Sequence, residues 1–324
     1  MMAYIVRRVL YAIPILIGVN LITFVLFFTV NTPDDMARMH LGMKRVTPEA
    51  IEKWKSERDY DKPLVYNSDA QGVARFTETI FAEKSLALFA FQFGSSDNGR
   101  DIGQDIRQRM WPSLAIAVPV LLLGLLLYIT LALLLVFFRA TYVDLWGVVL
   151  AVVMMSISSM FYIIGGQFLI SKFLHLVPIS GFDSSDAWKF LLLPVVVGVI
   201  GGIGGTTRFY RTLFLEEVHR DYVRSARAKG LSELRVLFRH VLRNALIPIL
   251  TGVVTALPLL FLGSLVTESF FGIPGLGSYT IDAINRQDFA IVRSMVFLGS
   301  VLYIVGLILT DISYTIADPR VRLN

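Results

Sequence analysis

The chain has 324 residues, 55% of them apolar, and only 17% are Asp, Glu, Lys or Arg, against roughly 25% in a soluble domain. A mean hydropathy of +0.65 excludes a soluble globular protein of this length, because one core could not hide so much apolar surface. The zero cysteine count excludes disulfides, Cys-ligated zinc, iron–sulfur clusters and thiol nucleophiles, and the net charge of +5 comes from basic residues lying mainly beside apolar stretches, at a membrane surface and not on nucleic acid.

A helix needs about 20 mostly apolar residues to cross a hydrocarbon core of roughly 30 Å. The first stretch that qualifies runs from about Val9 to Val30, with Asn20 its only strongly polar side chain. It is too long for a signal-peptide core and lacks a small-residue cleavage site, so it reads as a retained span. Residues 31–111 follow, with 12 basic and 13 acidic residues. Within them Thr47 and Pro48 supply an N-cap and a first helical residue for a helix to about Arg58. Residues from Ile102 to Met110 predict another short helix leading into Pro112.

Further spans are predicted from Pro112 to Phe138, Leu145 to Ile170, Phe190 to Thr206, Ala245 to Thr267 and Ser294 to Thr310, the last continuing to Ile316. Pro119, Pro194 and Pro258 are expected to kink their helices. The fourth stretch is short and holds Gly198, Gly201, Gly202, Gly204 and Gly205. These glycines lie inside a span with no Gly-Lys-Ser/Thr after them, which excludes a phosphate loop and implies close helix packing.

Between the fourth and fifth spans, residues 207–245 carry nine basic residues: Arg208, Arg211, Arg220, Arg224, Arg227, Lys229, Arg235, Arg239 and Arg243. Val223, Ala226 and the 230/231 position recur at helical spacing. Gly230 suits the left-handed position after a helix, and Ser232 can cap a second helix through Leu242. The pattern is two amphipathic helices joined by a sharp turn; an ordinary basic loop lying on anionic lipid would share its charge. Arg7, Arg8, Arg139, Arg320 and Arg322 fall on the same side. The positive-inside rule therefore places both termini in the cytoplasm, with residues 31–111 outside.

At the outer end of the fifth span, Phe270 to Gly277 forms a Gly/Pro-broken turn containing Phe271, Pro274 and Gly275. Irregular backbone at membrane depth needs protein or a water-filled cavity around it. An outer gate with Phe270 and Phe271 as plugs fits, as does a plain apolar turn on the membrane surface. Near the end of the sixth span Asp311, Tyr314 and Asp318 share a helix face. A structural bond to the basic side is favoured for Asp311 over a proton site. The four histidines have no metal spacing, and neither His-Glu-x-x-His nor Gly-x-Ser-x-Gly occurs, so no catalytic constellation and no metal or cofactor site is expected.

The run Ala226-Arg-Ala-Lys-Gly230-Leu-Ser232, followed by Arg239-His-Val-Leu-Arg-Asn-Ala-Leu-Ile-Pro248, resembles the "EAA" coupling segment of ATP-binding-cassette (ABC) importer permeases. It is similar above all to their dipeptide/oligopeptide branch. The general motif begins Glu-Ala-Ala, where this chain has Arg224-Ser225-Ala226. The likeness extends to Tyr4-Ile-Val-Arg-Arg8, to Thr47-Pro-Glu-Ala-Ile51 with Asp61-Lys-Pro-Leu64, to Phe271-Gly-Ile-Pro-Gly-Leu-Gly277, and to Asp311, Tyr314 and Asp318-Pro-Arg320. Asn67 to Phe93 is longer and less typical.

That resemblance implies an all-α inner-membrane permease subunit of a bacterium or archaeon. Its organisation would be a first span at 1–30, an outer segment at 31–111, a five-helix core at 112–316 and a cytoplasmic tail at 317–324. Tyr222, Arg224, Ala226, Arg227, Lys229, Gly230, Leu231 and Ser232 would couple to an ATPase. Phe270, Phe271, Pro274, Gly275 and Gly277 would form the gate, and Asp311, Asp318 and Arg320 would be structural. Implied partners are a second permease, two ATPase subunits holding ATP and Mg, and an outer solute-binding protein. A proton-coupled secondary transporter is the alternative, but such proteins place ionisable residues near the midplane, where these spans have almost none.

Overall fold

A computed structural model describes residues 2–42 and 46–317. Among these residues the structure is helical, with one isolated bridge between Ser95 and Asp101 and no strand. The helices are α1 Met2–Val30, α2 Pro33–Leu41, α3 Pro48–Glu57, α4 Ile102–Phe137, α5 Tyr142–Ser156, α6 Ser159–Gly166, α7 Ala187–Val218 and α8 Asp221–Ala228. They are followed by α9 Glu233–Leu262, α10 Leu265–Phe271, α11 Leu276–Arg286 and α12 Phe289–Ala317. Five of them are long and apolar enough to cross a membrane, or six spans if α5 and the stretch Ser159–Phe173, bent by 89°, count as one.

Several expected boundaries change. The short helix ahead of Pro112 is the start of α4, which runs unbroken for 36 residues. At about 1.5 Å per residue that is roughly 54 Å, well beyond a bilayer's apolar depth. One missing donor at Pro112 costs a single ladder bond, which the turns on either side tolerate. The third span is broken at Ile157 and Ser158, both extended. Ser156, Ser158 and Ser159 cluster there, and their hydroxyls compete with the helix for backbone groups. The glycine-rich fourth stretch continues to Val218. The predicted end at Leu242 is absent, because a wide turn at Leu237–Val241 carries α9 straight into its span. That helix stops at Leu262, before Gly263 with φ +70°, and not at Thr267.

By contact density the described chain forms two units. In the first, Met1–Gln108 with Asp282–Ile304, Thr47 caps α3 as expected, its hydroxyl accepting the Ala50 N–H at 3.4 Å. Part of the segment after α1 packs back onto that helix. Phe24 and Phe28 of α1 pack with Met36, Ile51, Trp54 and Ile80 in one apolar cluster. The buried Asn20 amide donates to the Ser85 carbonyl at 2.7 Å, which accounts for a polar side chain in an apolar span.

The second unit, Arg109–Ile281 with Val305–Asn324, has the larger core, running from Ile116 through Leu193 and Phe214 to Val236 and Ile273. Close helix packing at the glycines is observed. A Cβ on Gly204 would lie 2.4 Å from the Ala151 carbonyl oxygen and 2.6 Å from the Met155 nitrogen, so α5 and α7 touch backbone to backbone. The Tyr128 hydroxyl reaches past Gly202 to donate to the Val199 carbonyl at 2.7 Å.

Candidate functional site

In the second unit the residues around Gly230 form two helices and a tight turn. Arg220 is extended, α8 follows, and Val223 and Ala226 on its inner face are buried. Gly230 has φ +79°, a conformation that L side chains rarely adopt. Its N–H donates to the Arg227 carbonyl at 2.9 Å, and the Leu231 N–H donates to the Ala226 carbonyl at 3.4 Å. This pair of bonds is the Schellman closure that ends a helix on a left-handed glycine. Leu231 and Tyr222 pack partly buried against the unit's core. Ser232 sits at the cap position of α9, and its carbonyl accepts the Val236 N–H at 3.0 Å. Its hydroxyl makes no cap bond, so the side-chain capping expected of it is absent.

Charge is divided between the chain and the surface. Arg227, expected among the residues that couple to an ATPase, is bound inside the chain by Glu233. The same carboxylate accepts from Arg139 at 2.8 Å. Arg224 and Lys229 are exposed, with Asp221 3.5 Å from Arg224. Leu234 and Phe238 on α9 are also exposed. The Tyr222 hydroxyl donates to the Glu217 carboxylate, and burial together with that bond pushes its pKa up to about 12. It is a neutral donor throughout the physiological range.

The second assembly is the turn after α9. Its centre, which sequence reasoning passed over, is Glu268 on α10, 1% exposed. Its carboxylate accepts the N–H of Ser264 at 3.1 Å and of Ser278 at 3.0 Å. Ser113 of α4 accepts the Leu276 N–H at 2.8 Å. A Cβ on Gly263 or Gly275 would lie 2.1 or 2.2 Å from a Glu268 oxygen, and one on Gly277 would meet the Ser264 carbonyl carbon at 2.5 Å. The glycines let the backbone wrap around the carboxylate. Burial pushes the Glu268 pKa up, and the surrounding donors oppose it. The signal in the sequence was an acid between Thr267 and Ser269, with glycines at 263 and 272.

Of the expected gate residues, Phe271 is interior, Phe270 is 39% exposed and Pro274 is exposed. The Gln167 amide donates to the carbonyls of Phe270 at 3.0 Å and Ile179 at 3.1 Å. The Gly181 N–H donates to the Phe271 carbonyl at 2.8 Å. A cavity of about 640 Å³ lies elsewhere in this unit, with Tyr128, Gly201, Gly205, Phe209, Pro248 and Gly252 in its wall and no charged lining residue. Asp311 is half-buried on α12; Asp318 and Arg320 lie outside the described residues. Among the described residues no group of three His, Cys, Asp or Glu is placed to hold a metal.

Long apolar helices, broken backbone held by buried polar groups, and the short helix α8 closed by a tight turn onto the start of α9 define an all-helical, multi-pass integral membrane protein. The family described as binding-protein-dependent transport system inner membrane component matches residues 129–323. Its N-terminal companion matches residues 1–101. The chain is 32% identical to a putative peptide transport system permease protein of Brucella abortus, over the full length of both. It is 31% identical to a di/tripeptide transport system permease protein of Pseudomonas aeruginosa, over 99% of each chain. An oligopeptide transport system permease protein of Bacillus subtilis is 28% identical, over 99% of this chain and all of the relative. The chain belongs to the binding-protein-dependent transport system inner membrane component family, and it is a permease subunit.

Proposed function

We propose that this permease forms half of a translocation path for peptides or related small solutes in an ABC importer. Its partners are a second permease, two ATPase subunits that bind ATP and Mg, and an extracytoplasmic solute-binding protein. Hydrolysis belongs to the ATPases; this chain supplies the path and the lever. Both termini lie in the cytoplasm, and residues 31–111 lie outside with the 112–316 core in the membrane.

The observation that carries this reading is the closed turn at Gly230. It fixes α8 with Val223 and Ala226 against the permease core and Arg224 and Lys229 outward. Exposed pairs to a partner's acids contribute only about 0–1 kcal/mol each. Packing of the exposed α8–α9 face, with Leu234 and Phe238, supplies most of the coupling. On the opposite side Phe270 is the exposed element of an outer gate, and Phe271, Pro274, Gly275 and Gly277 set its backbone. The uncharged cavity gives a solute no strong site at which to stall, and it disfavours the proton-coupled alternative.

Gly230→Pro tests the lever. Proline is locked near φ −65° and cannot adopt the +79° seen here. The variant inserts in the membrane but no longer co-purifies with the ATPase subunits in mild detergent. Undiminished co-purification, or labelling of a cysteine at position 229 from outside the cell alone, overturns the proposal.

A further inference from the structure

In the unit formed by Met1–Gln108 and Asp282–Ile304, Arg293 is 6% exposed. Its Nε has no hydrogen-bond partner, and among the described residues it takes part in no ion pair. A buried guanidinium without an anion is strongly unfavourable.

Arg293 stands in the wall of an open pocket of about 470 Å³, together with Glu57, Arg58, Asp59, Tyr60, Lys84 and Asp97. That volume falls within the range of small-ligand sites. The other cations in the wall are already matched. Lys84 pairs with Asp59 at 3.2 Å, and Arg58 lies 3.7 Å from the Asp97 carboxylate and donates to the Asp97 carbonyl at 3.2 Å. Glu57 lies 4.0 Å from both Lys53 and Arg58. The Asp97 carboxylate is already engaged by Arg58, and burial and then the neighbouring Asp288 push its pKa up. The guanidinium lies near Tyr60, whose phenol it draws down against a larger upward push from burial. Among the described residues each other cation of the wall therefore has a carboxylate within 4.0 Å, and Arg293 has none.

We propose that this pocket binds a small carboxylate, with Arg293 as the anchoring cation. The planar fork of a guanidinium matches a carboxylate in two parallel hydrogen bonds. A short peptide offers such a group at its C-terminus; that choice of occupant rests on the transport reading above, whereas the carboxylate site does not.

The test is calorimetric titration of the full-length permease in lipid nanodiscs with dialanine, dialanine amide, acetate and inorganic phosphate. The expected result is dialanine binding at least about tenfold tighter than its amide, with acetate competing. Arg293→Gln erases the difference between acid and amide, and Arg293→Lys keeps part of it. Equal affinities for acid and amide overturn the proposal, as does binding of phosphate with no binding of acetate or dialanine. The acid–amide comparison uses the unaltered protein, so it decides the matter even if the Arg293 variants misfold. Failure here leaves assembly with ATPase subunits untouched, and failure of that assembly leaves acetate binding in place.

Discussion

Arg227 and Glu233 face each other across the Gly230 turn as a forked pair, Nε to Oε2 at 3.0 Å and Nη2 to Oε1 at 2.8 Å. The backbone turn and the ion pair close the same loop from two sides. Arg139, at the end of α4, completes a three-member cluster on the same carboxylate. The lever is tied to the helix that leads into the membrane on one side of the turn and to a second spanning helix through Arg139.

The strength of that tie is measurable. The two side chains are 32% and 30% exposed, so water screens the pair, and a coupling energy of about 0.5–1 kcal/mol is expected. A double-mutant cycle with Arg227→Gln and Glu233→Gln, read by thermal unfolding in detergent, gives it directly. Glu233→Gln alone loses more than Arg227→Gln, because it also releases Arg139. Equal single losses with no coupling would mean that the Schellman turn stands without the pair.

Gly204 and Gly205 are neighbours with opposite surroundings. A Cβ at 204 meets the backbone of α5, while nothing lies within 4 Å of one at 205. Gly204→Ala must push two helices apart and costs about 1–3 kcal/mol. Gly205→Ala costs no stability and gains up to about 1 kcal/mol, the usual advantage of alanine over glycine inside a helix. Because Gly205 lines the uncharged cavity, its variant is expected to alter uptake with the folded fraction undiminished. Unfolding curves and vesicle uptake, measured together on both variants, check the pair.

How much of this was legible in the sequence depends on range. Apolar length revealed the spans, since twenty lipid-compatible residues announce themselves without partners. Gly230 was legible because a glycine flanked by helical spacing has a local reason to exist. The break at Ile157–Ser158 was hidden inside continuous apolarity, where composition is the same for a straight span and a bent one. The ring of donors around Glu268 could not be read, because Ser113 and Leu276 are 163 positions apart and only the fold joins them. Arg227 looked like a free surface charge for the same reason: its partner is six residues on, but across a turn whose closure had to be seen.

The Glu268 cage predicts a substitution that size alone would not flag. Glu268→Gln keeps the shape but turns one acceptor into an NH₂ group aimed at a backbone N–H, of Ser264 or of Ser278. Leaving a buried donor unmatched costs about 1–3 kcal/mol. Pro274→Ala, exposed on the same turn, costs less than about 0.5 kcal/mol. Acidity acts in a defined direction. Burial raises the folded-state pKa of Glu268 above its unfolded value, so its contribution is full below about pH 4.3 and is lost as pH rises through the raised value. Protease nicking of the 270–276 turn is therefore slower at about pH 5 than at about pH 8, and Glu268→Gln flattens the difference. Equal nicking rates in the unaltered protein would show that the backbone donors outweigh burial.

Asp144 and Arg211 join α5 to α7 by two bonds, each 2.7 Å, and Asp144 also accepts the Ala140 N–H at 3.3 Å. Their side chains are 10% and 20% exposed. A pair so placed contributes little over an apolar pair of similar volume, yet breaking it strands a charge, at a cost of about 3–5 kcal/mol. Asp144→Leu alone therefore destabilises the unit far more than Asp144→Leu combined with Arg211→Met. The exposed pair Lys189–Asp186 is the comparison, and its removal costs no more than about 1 kcal/mol. Unfolding of the three variants in one detergent ranks them. If Asp144→Leu falls beside the surface pair, water reaches Arg211, and the contact between α5 and α7 is held by Gly204 alone.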